Sequence, residues 1–416
     1  MISPCGEGRE ALWSAALESR SSLTPLPAGD FASLSIRVAG IVRDFEASKY
    51  ISNRKSLKVM CRDIQMAVAA STLAWRDSGL TDADRVPERS GVSIGAGLFN
   101  NEISELAESF RVSADGDGNF DSRSFGQSGM AQLFPLWLLK YLPNMPACHI
   151  TITHSLRGPS NTVTTDSASS ASAFEEAYRI IRRGSADLMF CGGAESKLNP
   201  LGLLRYQAAG TLASARAEAG YPVFTDRAAG VVPAEGASIL ILEELEHARR
   251  RKARIYAEVT GAFSCVNTDR ARKASPGDSR VFAMSNALGE AGIGPDGLDG
   301  VHLNANGIAE DDRREASAVK EMFARYTRKP LLAAMKGITG YLGYAAAATE
   351  IAIAAMSLGE KRFAPSLVSG KTLLNDSFSF SSKTSSSARP GTVLVNHFAS
   401  GLSNHCIVLA NRGDLS

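Results

Sequence analysis

The chain has 416 residues, of which 44% are hydrophobic and 21% charged, and its formal net charge is +2. This length allows a substantial core or two packed cores, and the nearly balanced charge gives no reason to expect nucleic acid or a membrane surface as a partner. No apolar run reaches the roughly 18 residues of a membrane helix, and residues 1–6 lack the basic and apolar regions of a signal peptide, so we expect a cytosolic protein.

The first part of the chain shows helix and strand patterns that are separated by one long connection. Apolar residues at helical spacing predict a helix over residues 56–78, and G-V-S-I-G-A-G predicts a strand over residues 91–97. The connection over residues 98–145 includes a predicted apolar, aromatic helix at 130–141. A segment of this length inside a compact domain is usually functional or interfacial.

Residues 158–184 predict a strand, a sharp turn and a helix. The β-branched run at 161–165 suits a buried strand, an apolar stripe at helical spacing follows it, and Gly184 ends the helix. Ser167 is therefore expected at a buried, positive helix start, where its hydroxyl could act as a nucleophile. On these residues alone helix capping by Asp166 and Ser167 is the simpler explanation, and both interpretations stay open.

The second part alternates strand and helix patterns. Strands are predicted at 255–263, 300–305, 331–335, 392–396 and 406–410, with helices at 279–291 and 312–326. The stretch K-G-I-T-G-Y-L-G-Y followed by a small-residue helix repeats the strand, turn and helix of residues 158–184. We therefore predict an α/β protein with two related halves, residues 1–250 and 251–416.

Several separate motifs resemble those of the β-ketoacyl synthases over nearly the whole chain. They include E-A-L-W, C-G-G-A-E-S, N-A-N-G, K-G-I-T-G-Y-L-G and N-H-F-A-S-G-L-S-N, which occur in the order and spacing of that family. The resemblance implies a thiolase-like fold, in which two pseudo-symmetric halves form a five-layered αβαβα sandwich. Family members begin with a strand ahead of S-P-x-G-x-G, so we expect an abbreviated first strand here, or another segment in its place.

The resemblance also implies that the condensing residues have been replaced. Ser167 stands where the family has a Cys, and Asn306 and Tyr341 stand where it has two His residues, while Lys336 and Glu350 are retained. A Ser hydroxyl needs an adjacent base, and neither an amide nor a neutral phenol provides one, so we predict that no complete catalytic set remains.

Binding groups nevertheless persist at the same positions. The resemblance places the backbone amides of Ser167 and Ser400 at the family's oxyanion hole, and Asn306 and Tyr341 could still donate to a carbonyl. The six cysteines are scattered without a C-x-x-C pair, and neither a metal nor a cofactor is predicted.

Among these synthases the chain is most similar to the chain-length factors of type II polyketide synthases, since it carries A-A-G-V-V-P-A-E-G. This similarity implies a heterodimer with an active ketosynthase subunit and an acyl chain on acyl carrier protein. It places Phe99, Asn100, Phe134 and Trp137 at the dimer interface and the acyl tunnel. The competing interpretation is that such residues are core, which we expect for Leu133 and Phe134.

Two other roles and two other functions stay open. His397 could approach Ser167 as a base or be an ordinary packed His, and Lys336 with Glu350 could be a proton relay or a buried ion pair. The second function is a Ser167-dependent acyltransferase or thioesterase on the same fold. The third is a structural homodimer without an acyl pocket.

Overall fold

The computed structural model describes residues 1–27, 31, 34–97, 102–213, 221–267, 279–368, 370–374, 377–383, 389–400 and 403–411. Its two main sheets are each built from one part of the chain. The first has six strands in the order β2-β1-β8-β7-β5-β6. The second has five strands in the order β11-β10-β12-β13-β9. The fold is therefore α/β with two halves, as predicted.

The strands of the first part are β1 (Ile2–Ser3), β2 (Gly6–Glu7), β3 (Thr24–Pro25), β4 (Val38–Ala39), β5 (Ser90–Gly95), β6 (Ser160–Val163), β7 (Leu188–Glu195) and β8 (Gly236–Glu243). Its helices are α1 (Gly8–Glu18), α2 (Arg62–Ser78), α3 (Ile103–Val112), α4 (Ser122–Ser124), α5 (Met145–His154), α6 (Ser169–Arg182), α7 (Pro200–Ala208) and α8 (Leu245–Arg250).

The second part has the strands β9 (Glu258–Val266), β10 (Gly300–His302), β11 (Leu331–Ala333), β12 (Thr392–Phe398) and β13 (Ser403–Ala410). Its helices are α9 (Ser279–Glu290), α10 (Ala309–Met322), α11 (Lys336–Thr339) and α12 (Ala346–Gly359). No helix among the described residues is long and apolar enough to span a bilayer.

Helices α6 and α12 lie between the two sheets. Their apolar side chains, among them Phe174 and Ile351, form one core cluster with Met189 of β7 and Val393 of β12. Helices α2 and α5 pack on the other face of the first sheet, and α9 packs on the other face of the second. The resulting order of layers is helix, sheet, helix, sheet, helix, which is the predicted five-layered sandwich.

The first strand is short but occupies its expected place in the sheet. β1 pairs antiparallel with β8 through Ile2 and Ala237, and it forms a hairpin with β2. Ile2 is completely buried.

Two local predictions were wrong. Residues 130–141 are not one helix but two single 3₁₀ turns, Met130–Gln132 and Trp137–Lys140, because Pro135 between them cannot supply the N–H that a continuous helix needs. The strand predicted as buried, β6, is the edge of its sheet, and Ser160 and Asn161 are exposed. β-branched residues suit an edge strand as well as a central one, so their presence alone does not determine burial.

Candidate functional site

The site is centred on the turn that precedes α6. Asp166 has a positive φ of 53°, which is unusual for a residue other than glycine, and the turn Asp166–Ala168 leads directly into the helix. Ser169 fixes the turn because its hydroxyl accepts a hydrogen bond from the Thr165 amide at 2.9 Å. Ser167 is only 7% exposed, so it lies at a buried helix start as the sequence predicts.

The small residues around this turn have a steric reason. A Cβ at Gly95, the last residue of β5, would overlap the backbone of Ser169 and Ser170. Helix α6 can therefore approach the strand only because that position has no side chain. This close approach of α6 to β5 sets the distance between Ser167 and the sheet.

Tyr341 is a side chain close to Ser167, and its phenol interacts with the Ser167 hydroxyl. Burial, followed by the charge of Asp166, holds the pKa of Tyr341 well above its usual range. The Tyr341 backbone is fixed by the V-P-A segment of the first half: its N–H donates to Val232 O at 2.8 Å, and its carbonyl accepts from Ala234 N at 2.9 Å. Ser167 is thus held by a phenol that stays protonated at neutral pH, and a protonated phenol is not a base.

His397 is the second ring beside the turn. It is buried in β12 with its ring next to the Ser167 main chain, although neither ring nitrogen makes a hydrogen bond of good geometry within the described residues. Burial, followed by the positive charge of Lys336, holds the pKa of His397 well below its usual range. An imidazole with a depressed pKa is a weak base, so it is poorly suited to deprotonate a Ser hydroxyl.

Asn306 and Ser400 are joined by Asp311, a residue that sequence reasoning missed. The Oδ2 atom of Asp311 accepts from Ser400 Oγ at 2.6 Å and from Asn306 Nδ2 at 3.1 Å, and Asn306 Oδ1 accepts from Ile308 N at 2.9 Å. An amide group has two N–H donors, so at most one of them remains for a ligand carbonyl. The Asp311 charge also acts on Tyr341, which places this network beside the Ser167 turn.

Two buried carboxyl groups hold the loop that carries Asn306. Glu315 accepts from the amides of Asn304 and Ala305, both at 2.8 Å, and Asp312 accepts from Gly307 N at 3.2 Å and Phe224 N at 2.7 Å. Burial raises the pKa of each carboxyl to about 7, although the backbone donors oppose the shift.

Lys336 and Glu350 form a buried ion pair beneath the site. Lys336 Nζ lies 3.2 Å from Glu350 Oε1 and also donates to Asn304 O, and both side chains are almost inaccessible. The second Glu350 oxygen is 3.7 Å from His302 Nδ1. His302 of β10 pairs with Val395 of β12, and Val395 is two residues before His397. Paired residues, and residues two apart on one strand, point to the same face of a sheet, so both imidazoles lie on the same face as the ion pair.

A second buried charge pair, Glu195 with Lys197, lies beside the site, and the sequence analysis did not predict it. Glu195, at the end of β7, accepts from Tyr206 Oη at 2.7 Å, from Lys197 Nζ at 2.9 Å and from Tyr344 N at 2.9 Å. Burial alone would lower the pKa of Lys197, but the Glu195 carboxylate and Tyr344 raise it above its usual range. The Tyr206 ring stands edge-on to Tyr341 at 6.3 Å between centroids, which connects this cluster to Ser167.

The predicted interface residues do not form part of this cluster. Phe134 is 47% exposed, and Trp137 is partly buried against Tyr141 at 5.3 Å between ring centroids. The expectation that Phe134 is a core residue was wrong, and Leu133 is only partly buried. Phe99 and Asn100 lie outside the described residues.

The missed residues gave different amounts of sequence signal. Asp311 stands in an acidic run at the start of α10, which is a common pattern for a helix N-terminus and does not indicate a site. Lys197 directly follows the motif C-G-G-A-E-S, and Tyr344 ends the stretch K-G-I-T-G-Y-L-G-Y. Their proximity in sequence to those motifs was the available signal.

Comparison with known proteins identifies the family of the chain. A family model for the β-ketoacyl synthase N-terminal domain matches residues 1–248, and one for the C-terminal domain matches residues 256–369. The 3-oxoacyl-[acyl-carrier-protein] synthase 2 of Vibrio cholerae is 31% identical over 374 residues, which cover 88% of this chain and 86% of the relative. That of Coxiella burnetii is 28% identical over 418 residues, covering 100% of this chain and 97% of the relative.

Solved structures show the same fold at lower identity. The ishigamide ketosynthase/chain length factor superposes with a TM-score of 0.83 at 24% identity, covering 99% of this chain and 97% of that one. A type II polyketide synthase ketosynthase, solved in complex with its acyl-carrier protein, gives a TM-score of 0.81 at 23% identity with the same coverage. On the family models and the Vibrio relative, the chain belongs to the β-ketoacyl synthase family.

Proposed function

We propose that the chain is a non-condensing, chain-length-factor-like subunit, which pairs with an active ketosynthase and shapes the pocket for an acyl chain carried on acyl carrier protein. One observation carries this proposal. The residue beside the Ser167 hydroxyl, in the position of a family His, is Tyr341, whose pKa is raised by burial, so this phenol is not a base that could activate Ser167.

The chemistry of condensation explains why this arrangement matters. Acyl transfer requires a nucleophile that is ionised or that passes its proton to a base, and the carbanion step requires donors that stabilise a developing enolate. Here the nucleophile position carries a neutral hydroxyl. The Asn306 amide is partly used by Asp311 and Ile308, so its capacity to stabilise an oxyanion is reduced.

The surface of the chain supports pairing with a second subunit. β6 is an open sheet edge, and the segment 102–141 exposes several large apolar side chains. These side chains are Ile103, Phe110, Phe120, Met130, Phe134, Leu136 and Leu138. An open edge and an apolar patch favour a protein partner, because both would otherwise promote aggregation.

Co-expression with a ketosynthase that carries the Cys and both His residues tests the pairing. We expect a heterodimer by size exclusion with light scattering, and loss of it in Phe134→Asp. Leu204→Asp is the matched control, because Leu204 is 46% exposed but lies on α7, outside the segment. Removing an interface anchor typically costs at least about 2 kcal/mol, or roughly 30-fold in affinity. A stable homodimer without affinity for any ketosynthase would refute the pairing.

Condensation is tested separately with the purified chain, malonyl-carrier protein and a primed acyl group. We expect no extension by the unaltered protein. The triple variant Ser167→Cys, Asn306→His, Tyr341→His should gain malonyl decarboxylation, since each proton-transfer group is typically worth about 10²- to 10⁴-fold. Extension by the unaltered chain alone would disprove the non-condensing role.

A second function has one specific observation in its favour. His397 lies beside the Ser167 main chain, so a Ser167-dependent acyltransferase or thioesterase would have an imidazole near its nucleophile. Intact mass spectrometry after incubation with acyl-carrier protein thioesters decides between the two functions. An acyl adduct that disappears in Ser167→Ala and weakens in His397→Gln would support this second function, whereas the absence of any adduct would reject it.

A further inference from the structure

Tyr344 lies beside the turn that carries Ser167. Its ring lies against Gly97, just beyond β5, so closely that a Cβ at position 97 would overlap the ring and the hydroxyl. The helical turn Gly343–Ala345 packs directly on the turn Asp166–Ala168, and the Asp166 charge acts on the Tyr344 phenol. The buried Tyr344 ring therefore lies against Gly97, beside the turn that carries Ser167.

Neighbouring charges fix this ring in position. The Lys197 ammonium lies 3.9 Å from the ring centroid. Glu195 binds both Lys197 and the Tyr344 backbone, each at 2.9 Å. A cation over a buried aromatic face is stabilising, and removing one partner of a buried ion pair is costly. Rotation of Tyr344 out of this position would disturb both interactions.

Another part of the site is polar. Asn306, Asp311 and Ser400 are hydrogen-bonded to one another there. An acyl chain packed against this network would bury the Asp311 charge in apolar surroundings, which is unfavourable. Among the described residues, the aromatic rings at the site include those of Tyr341, Tyr206 and Tyr344, and Tyr344 is the one that packs against Gly97.

We propose that Tyr344, held by Lys197 and Glu195, is a plug that limits this chain's own acyl site to short acyl groups such as acetyl or malonyl. The proposal rests on the proposed function to the extent that Ser167 marks a retained acyl site. Long chains are excluded from this subunit, so the growing chain of a pair runs in the partner or between the two subunits. Tyr344 is then a specificity-determining residue that acts by its bulk.

Cysteine labelling of the chain alone tests the plug. In a Ser167→Cys variant, the thiolate displaces iodide from a small probe, iodoacetamide, or from a long one, N-dodecyl iodoacetamide. Peptide mass spectrometry then counts modification at position 167 only, which excludes the six native cysteines. We expect the small probe to label this variant, and the long probe to label it at least about tenfold more slowly, as pocket discrimination of this kind typically allows.

Opening the plug should change the result for the long probe only. Adding Tyr344→Gly should raise the rate of N-dodecyl iodoacetamide labelling by at least about tenfold, while the rate of iodoacetamide labelling changes little. Adding Tyr344→Phe, which keeps the ring, should leave both labelling rates nearly unchanged. Melting temperatures establish that each variant is folded, and Tyr344→Ala replaces Tyr344→Gly if the latter is not. Equal labelling by both probes with Tyr344 in place, or a response to Tyr344→Phe equal to that of Tyr344→Gly, overturns the proposal. The assay needs no ketosynthase, so failure to form a heterodimer does not affect its outcome.

Discussion

The Lys336–Glu350 pair allows a quantitative test of how the site is held together. With 3.2 Å between Nζ and Oε1, the attraction is about 5 kcal/mol at an effective dielectric constant of about 20. Loss of either partner leaves the other charge buried and unpaired, which typically costs about 3–5 kcal/mol. Lys336→Met should lower the free energy of unfolding by at least about 3–5 kcal/mol, because it also removes the donor to Asn304 O.

The cost should appear as a lower melting temperature. An unfolding entropy of about 2.1 cal/mol/K per residue gives about 0.9 kcal/mol per degree for 416 residues, so we expect a fall of about 3–6 °C. Scanning fluorimetry of Lys336→Met, Glu350→Gln and the double variant completes a double-mutant cycle. The double variant should be clearly more stable than the sum of the two losses predicts. Strict additivity of the two losses would show that the charges do not interact, and would refute the reasoning.

Two further predictions concern stability. The pKa of Asp63 is raised to about 7 by burial, as are those of Asp312 and Glu315, so the folded state binds more protons than the unfolded state between about pH 4 and 7. The stability contributed by these groups therefore falls as pH rises through that window and is constant above it. Asp63→Asn should make this decline smaller in denaturant titrations at pH 5, 6 and 8. An unchanged decline would contradict the raised pKa of Asp63. Gly97→Ala should cost about 1–3 kcal/mol by overpacking against Tyr344. In a chain that already carries Tyr344→Gly, the further cost of Gly97→Ala should be much smaller, and an equal cost in both chains would show that the ring is not the obstacle.

The sequence was most informative where the backbone itself is constrained. The turn at Ser167 could be predicted because a β-branched run, an Asp–Ser pair and a small-residue helix each indicate one local structure. The ion pair of Lys336 with Glu350 could be anticipated because the two residues are 14 apart in one continuous turn and helix. Local constraints of this kind depend on neighbouring residues, so a single sequence contains them.

Side-chain networks were not predictable for the opposite reason. Glu195 meets Tyr344 across 149 residues, and Ser400 meets Asp311 across 89, so no local pattern indicates either contact. The prediction for Phe134 failed for a similar reason, because a large apolar residue is assigned to the core from its type alone, whereas its exposure depends on distant parts of the chain.

In the proposed non-condensing role, the replacements at the site contribute to stability instead of catalysis. A catalytic group must keep a donor or acceptor available for its substrate, and an unsatisfied buried group is destabilising. Here the hydroxyl of Ser167 interacts with Tyr341, and Asn306 is hydrogen-bonded to Asp311. These internal interactions favour a fixed pocket surface over a reactive site. For the same reason, Ser167→Cys alone should not restore condensation: a thiol would still face a neutral phenol, and the Asn306 amide would still be held by Asp311.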